Sequence, residues 1–462
     1  MEASSPSEQG VAVAGLAAFV EALDADPAIE PHGLIVQRHG RRIVEGYWAP
    51  HTADRARLVY SLSKTFTGTA LGLLLGDGAL SLDDLVSDHL PDLMEGADER
   101  TRRMRVRHIA SMASGHDHET ILDAYVADPE DPVRGFFRLA PEEEPGTRFA
   151  YNQPPVLALA TILTRLSGQR LSKLLRPRVL DPIGVGPFSW SQFSPGIDLG
   201  FSGVHTNLDA IGRLGQLYLD DGVWEGRRLL PEGWVTQAST KQIDNPLEPE
   251  IDWQQGYGFQ VWMCQHGYRG DGAFGQYMVV LPEQDAVIAI FSNIERMQTI
   301  MDLMWEHLLP SFGDTPGPAT ADDDALAARL KGLALPTAAE RLRGGPPVIA
   351  PQAFEHGERF YSSHPTLVGA STDGADLVLA EDDGTITVPL TEAWTTVDNI
   401  ATSATTLPDG TVAVDLALLA TPHRLQLELD PAAGTISSRY PLPPLFGGGL
   451  GTHLRNMRPP ED

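Results

Sequence analysis

Cysteine is nearly missing from this chain. Its 462 residues contain one, Cys264, which excludes an internal disulfide and any metal site built wholly from thiolates. His266 follows two residues on, but a lone thiol in an apolar run reads as a buried structural group. Basic residues are scarce too: 34 Lys and Arg stand against 62 Asp and Glu, a formal net charge of −28. So acidic a surface repels nucleic acid and anionic lipid, because phosphate contacts need Lys and Arg to displace counterions. The same charge favours a neutral or cationic substrate, or serves solubility alone. Long hydrophobic runs are lacking: no stretch approaches the ~20 apolar residues of a membrane span. The first 26 residues carry Glu2 and Glu8 and no basic residue ahead of their apolar run, unlike a secretory signal. The expectation is a cytoplasmic protein acting on a small molecule or peptide, away from nucleic acid and membrane.

What is present is the composition of an ordinary folded protein, 42% apolar and 21% charged. The chain exceeds the ~100–200 residues of a usual single core, which predicts one large domain and a smaller one. Residues 11–23 have the spacing of a short amphipathic helix, and 33–36 with 42–47 read as the strands of a hairpin. Helical periodicity begins at Ser61, with Phe66, Ala70, Leu73 and Leu74 recurring and Gly76-Asp77-Gly78 as the stop. Further helices are predicted over 104–112, 156–166, 208–219 and 297–309, and β-rich runs over 258–263, 276–281 and 286–291. The Pro-, Gly- and Asp-rich stretch 313–324 reads as a linker, followed by a short helix near 325–333. Beyond Pro346, short alternating runs with turns at Asp382-Asp383-Gly384 and Pro408-Asp409-Gly410 predict an all-β barrel or sandwich. Trp394, Phe360 and Tyr361 are its expected core aromatics. The predicted organisation is a domain over 1–312, a linker with a short helix over 313–345, and a β domain over 346–462.

The sharpest chemical signal is Tyr60-Ser61-Leu62-Ser63-Lys64 at a helix start. Ser61 and Lys64, three residues apart, share one face. A desolvated lysine loses its proton toward neutral pH and can then accept one from a serine hydroxyl. The helix start also offers the Ser61 N–H to an oxyanion. A second element ends in Tyr151-Asn152-Gln153 just before an apolar helix, where a phenol can relay a proton between nucleophile, lysine and leaving group. Taken alone, that tyrosine reads equally as an aromatic capping the core. The third element is Tyr268-Arg269-Gly270-Asp271-Gly272-Ala273. Its glycines let an acyl group approach closely and a strand edge supplies a backbone N–H. A hairpin loop without substrate contact fits the same residues. His116-Asp117-His118-Glu119 gathers metal-ligating types but lacks the spaced third ligand of zinc patterns, so neither metal nor cofactor is expected.

Together and in this order, the three elements resemble the β-lactamase and penicillin-binding-protein-like serine hydrolases over roughly residues 30–310. Tyr151-Asn152-Gln153 and Gly270-Asp271-Gly272 look most similar to an uncharacterised serine hydrolase branch, with 6-aminohexanoate-dimer hydrolases as more distant relatives. The resemblance implies an α/β (α+β) fold: a mostly antiparallel sheet flanked by helices, beside an all-helical lobe, with the site between them. It implies Ser61 as acyl-accepting nucleophile, Lys64 as its base and Tyr151 as a second proton carrier. The Ser61 and Ala273 N–H groups would form the oxyanion hole. Asn152, Gln153, His116, Arg269, Gly270, Asp271 and Gly272 are the residues it brings to the substrate. The C-terminal region resembles the lipocalin-like β domain appended to some of these hydrolases, including penicillin-binding-protein-type thioesterases that cyclise peptides.

Two departures narrow the expectation. The family's second motif is usually Tyr-x-Asn, and Gln153 stands in the Asn position. Its third motif usually opens with Lys or His, and here Gly270 stands there, so a cation to grip a substrate carboxylate is missing. Arg269 would replace it only from the opposite strand face, while Asp271 either favours an amine-bearing substrate or simply forms a turn. The resulting expectation is an esterase or amidase, rather than a β-lactamase, working through a Ser61 acyl-enzyme. An acyltransferase or peptide cyclase, and a catalytically silent binding protein, are the alternatives.

Overall fold

The computed structural model describes residues 1–313, 315–357, 363–382, 384–445 and 450. The hairpin forms as β1 (Glu30–Arg38) and β2 (Arg41–Tyr47). It is extended by β3 (Trp262–Cys264), β4 (Gly267–Gly272), β5 (Gln276–Leu281) and β6 (Ala286–Asn293) into an antiparallel sheet of order β3-β4-β5-β6-β1-β2. Only the end of the run expected over 258–263 is a strand. The third chemical element lies within β4 from Tyr268 to Gly272.

Both faces of this sheet are covered, which is why its central strands read as unbroken apolar runs. Leu34, Val36, Val279, Ile288 and Ile290 alternate onto a core closed by α1 (Val13–Ala25) through Phe19, Val20 and Leu23. Ile35, Met278, Val280 and Ala289 point the other way, into a core shared with α2 (Ser63–Gly76), α3 (Gln153–Ser167) and α4 (Leu208–Leu219). Helix α2 is buried on all sides from Ser63 to Leu74, so it runs through the middle of the lobe rather than along its surface. A 3-10 turn, Tyr60–Leu62, precedes it and takes Ser61 out of the α-helix proper. Helix α3 begins three residues before the expected start, because Pro154 and Pro155 fit a first turn that needs no N–H; Gly168, at φ +70°, ends it.

The stretch read as a linker is partly structured. Helix α5 (Ala321–Lys331) starts at the aspartates, since Thr320 and Asp323 cap each other reciprocally and the carboxylates of its first turn suit the positive end of the helix dipole. Its Leu326 and Leu330 pack into the core beneath α1.

The other large sheet has nine strands and its own apolar core. Its strands are β7 (Gln352–His356), β8 (Leu367–Thr372), β9 (Asp376–Glu381), β10 (Gly384–Pro389), β11 (Thr395–Val397), β12 (Ile400–Thr406), β13 (Val412–Leu418), β14 (Arg424–Asp430) and β15 (Thr435–Arg439). The order is β10-β9-β8-β7-β15-β14-β13-β12-β11, parallel only at β7–β15. Its ends curl together: Ala404 N–H donates to Thr391 O at 2.7 Å and the Thr402 hydroxyl to Pro389 O at 2.9 Å, giving a nearly closed barrel. Trp394 is not in that core. It is half-buried at the junction with the rest of the chain, its indole N–H donating to Leu335 O at 3.0 Å. Phe360, Tyr361 and Asp383 lie outside the described residues. Among the described residues no helix is long and apolar enough to cross a membrane.

Candidate active site

Ser61 is half-buried in the 3-10 turn, with Lys64 one turn on in α2. The turn is held from both sides: the Ser63 hydroxyl donates to Tyr60 O at 2.6 Å and accepts from Val204 N–H at 3.0 Å. Tyr60 has φ +49°, a left-handed conformation that a bulky residue adopts only when its surroundings enforce it.

Lys64 is 2% exposed, and its ammonium has three oxygen partners. Nζ donates to Ser61 Oγ at 3.2 Å, to Gln153 Oε1 at 2.6 Å and to Phe201 O at 2.9 Å. None of the three is ionised. Burial pushes the Lys64 pKa down to about 7, against a smaller opposing pull from the Glu119 and Asp271 carboxylates. Gln153 thus reaches the lysine despite its longer arm.

Tyr151 is fixed by aromatic packing. Its ring stacks on Trp262 at 5.2 Å and meets Tyr257 edge-on at 6.4 Å, while Lys64 Nζ sits 4.6 Å from its centroid. Burial, and then the negative charge of Asp271, raise its pKa, while a hydrogen bond with Ser61 acts the other way. The resting residue is a neutral phenol.

Strand β4 runs directly beside the serine turn, and its glycines are what allow it. A Cβ on Gly272 would lie 2.0 Å from Val59 O, and one on Gly270 2.3 Å from Thr65 Oγ1. The position where the resemblance leads one to look for Lys or His therefore has no room for a side chain. Arg269 does not fill that role. It is fully buried, donates from Nε to Asp271 at 2.9 Å and from Nη1 to Asp252 O and Met263 O, and lies over Trp253 at 4.1 Å. Burial works against its charge, but the surrounding groups together, the Asp271 carboxylate foremost, outweigh burial and raise its pKa. Burial likewise raises Asp271, opposed by Arg269. Asp271 is a strand residue committed to this internal pair, not a turn former. Just beyond β4, Ala273 is half-buried and Phe274 adopts φ +67°.

Two further expectations are corrected. His116 is 1% exposed and belongs to the core, with its ring 5.0 Å from Phe136, Nδ1 3.0 Å from the Ser114 hydroxyl and Nε2 3.4 Å from Leu139 O. Asn152 is fully buried, and its Oδ1 accepts from the N–H and hydroxyl of Thr120, both at 3.0 Å, so it braces a loop. The His-Asp-His-Glu run divides: His118 stays with Asp117 and also pairs with Asp123, while Glu119 accepts from the Gln153 N–H. Glu119 is thus a neighbour of the site that reading the run as a set of metal ligands conceals. Phe201 contributes its carbonyl and a ring 5.8 Å from Lys64 Nζ, far from any motif in sequence, and Trp262 sits in an apolar run like any core residue.

Comparison with known proteins bears on the family and the fold. The Beta-lactamase family profile matches residues 16–309. A 6-aminohexanoate-dimer hydrolase of Paenarthrobacter ureafaciens is 25% identical over 286 residues, covering 56% of this chain and 71% of that protein. Among solved structures, an octameric penicillin-binding protein homologue from Pyrococcus abyssi shares the fold with a TM-score of 0.50 at 16% identity. That match covers 89% of this chain and 97% of the other, and so reaches into the C-terminal barrel. EstCE1, described as a hydrolase with promiscuous acyltransferase activity, matches with a TM-score of 0.52 at 18% identity, covering 65% of this chain and all of its own. The chain belongs to the beta-lactamase family of hydrolases.

Proposed function

We propose that the protein hydrolyses a neutral ester or amide through an acyl intermediate on Ser61. The observation that carries this reading is the buried Lys64 amine, 3.2 Å from Ser61 Oγ and titrating near neutrality at about 7. So weakly basic an amine is available near neutral pH as a free base, able to take the serine proton.

In the first half-reaction Ser61 Oγ bonds to the substrate carbonyl carbon as its proton passes to Lys64 Nζ. The carbonyl oxygen, now negative, is received by the N–H groups of Ser61 and Ala273. The intermediate collapses with cleavage of the C–O or C–N bond. Tyr151, a neutral phenol, protonates the leaving group and is reprotonated from the Lys64 ammonium. In the second half-reaction water attacks the acyl ester, Lys64 takes its proton, and Ser61 leaves with that proton restored. The absence of a side chain at Gly270 and the internal pairing of Arg269 argue for substrates without a carboxylate beside the scissile bond.

The test is turnover of short and medium p-nitrophenyl esters, nitrocefin and the linear amide dimer of 6-aminohexanoate, with Ser61→Ala alongside. Ester or amide cleavage that vanishes in Ser61→Ala, with nitrocefin left intact, is the expected result. Full ester turnover by Ser61→Ala would overturn the reading, and nitrocefin cleavage would overturn its substrate restriction.

A further inference from the structure

Loops between strands normally lie at the surface, where water satisfies their backbone. The turn joining β13 to β14 does the opposite. Leu419, Ala420, Thr421 and His423 are each at most 2% exposed, because the tip of this barrel hairpin is inserted into the β-lactamase-like body. Ala420 O accepts from Leu58 N–H at 2.9 Å, three residues before Ser61.

His423 sits at the centre of this contact. Its Nδ1 lies 3.0 Å from Leu442 O, which can only accept, so Nδ1 carries the proton. In the neutral ring Nε2 is then an acceptor, and it stands 2.6 Å from the Tyr60 hydroxyl. The same ring meets Phe274 edge-on at 4.7 Å and Tyr60 edge-on at 5.9 Å, and Tyr60 and Phe274 themselves pack at 5.3 Å. These are the two residues that flank the oxyanion donors assigned above: Tyr60 precedes Ser61 and Phe274 follows Ala273. Both are non-glycine residues with positive φ, at +49° and +67°. Such conformations persist only where packing overrides their intrinsic cost. One imidazole from the barrel supplies packing to both.

We infer that His423 is a positioning residue: the barrel hairpin, through His423, holds Tyr60 and Phe274 and thereby sets the spacing of the Ser61 and Ala273 N–H groups. This rests on the reading of Ser61 as nucleophile. It gives the C-terminal barrel a direct part in the active site. Oxyanion donors act through their placement, and displacement by about 1 Å can cost about a hundredfold in rate. Substrate binding away from the reacting carbonyl is untouched.

The experiment compares wild type, His423→Ala, His423→Gln and Leu377→Ala, the last a substitution in the barrel core. Each is assayed for kcat and KM on a p-nitrophenyl ester, thermal midpoint, and the rate of Ser61 modification by a fluorophosphonate. The expected result for His423→Ala is a fall in kcat and in modification rate of about ten- to a hundredfold, with KM within about twofold of wild type. His423→Gln, whose amide oxygen accepts from Tyr60 in place of Nε2, recovers most of that loss. Leu377→Ala lowers the thermal midpoint and leaves kcat near wild type. Unchanged kcat and modification rate in His423→Ala would overturn the inference while leaving Ser61 as nucleophile. So would an equal kcat loss in Leu377→Ala, which would mean general loosening of the barrel. If wild type itself is not modified on Ser61, the underlying functional reading fails instead.

Discussion

Two cations lie buried beside the serine turn, and they meet opposite fates. Lys64 and Arg269 are 2% and 0% exposed, so burial works against the charge of both. Arg269 touches a carboxylate, Asp271, at 2.9 Å and keeps its charge. Lys64 touches a hydroxyl, an amide oxygen and a backbone carbonyl, none of them charged, and loses its proton near neutrality. Burial alone therefore does not make a base. What makes one is burial with hydrogen-bond partners that satisfy the amine but cannot neutralise an ammonium. The arginine pocket shows what the lysine pocket would become with one carboxylate added.

The comparison can be broken from either side. The largest expected effect is that of Lys64→Met, which removes the base: kcat on a p-nitrophenyl ester falls about 10²–10⁴-fold with the fold intact by circular dichroism. Next, Gln153→Glu places a carboxylate where Lys64 Nζ now meets an amide oxygen at 2.6 Å. The lysine then keeps its proton like Arg269. The rising limb of kcat/KM against pH moves to alkaline pH, and activity at pH 7 falls about tenfold to a thousandfold, recoverable at higher pH. Asp271→Asn tests the other pocket, because it leaves the Arg269 charge buried and unpaired. The expected loss of folding stability is about 3–5 kcal/mol, read from denaturant unfolding. The same substitution removes one of the two charges that hold the Lys64 pKa up, so the rising limb of any remaining activity shifts slightly to acid.

Much of this contrast is legible before the fold is known. Ser61 and Lys64 announce themselves because helical spacing alone puts them on one face, and the two-faced sheet shows in unbroken apolar runs such as 277–281. What the sequence does not disclose is direction and depth. A strand neighbour such as Arg269 can point to substrate or core, and only the tryptophans it lies between, Trp253 and Trp262, decide for the core. Asn152 lies within a motif yet is turned inward to brace a loop, and His116, one of a polar run, belongs to the core. The triple aspartate at 322–324 has the composition of a spacer but serves as a helix first turn once Thr320 caps it. His423 is out of reach of any local pattern, since its partner Tyr60 lies 363 residues away along the chain.

The most direct test of the central claim is the pH dependence of Ser61 phosphonylation, followed by intact mass and peptide mapping with Lys64→Met as reference. The free amine is the active form, so the rate should rise with pH through an apparent pKa near 7, with the adduct on Ser61, and Lys64→Met should lose that rise. A rate that stays flat from about pH 6 to about pH 9 in the wild type, or an adduct on a residue other than Ser61, would contradict it.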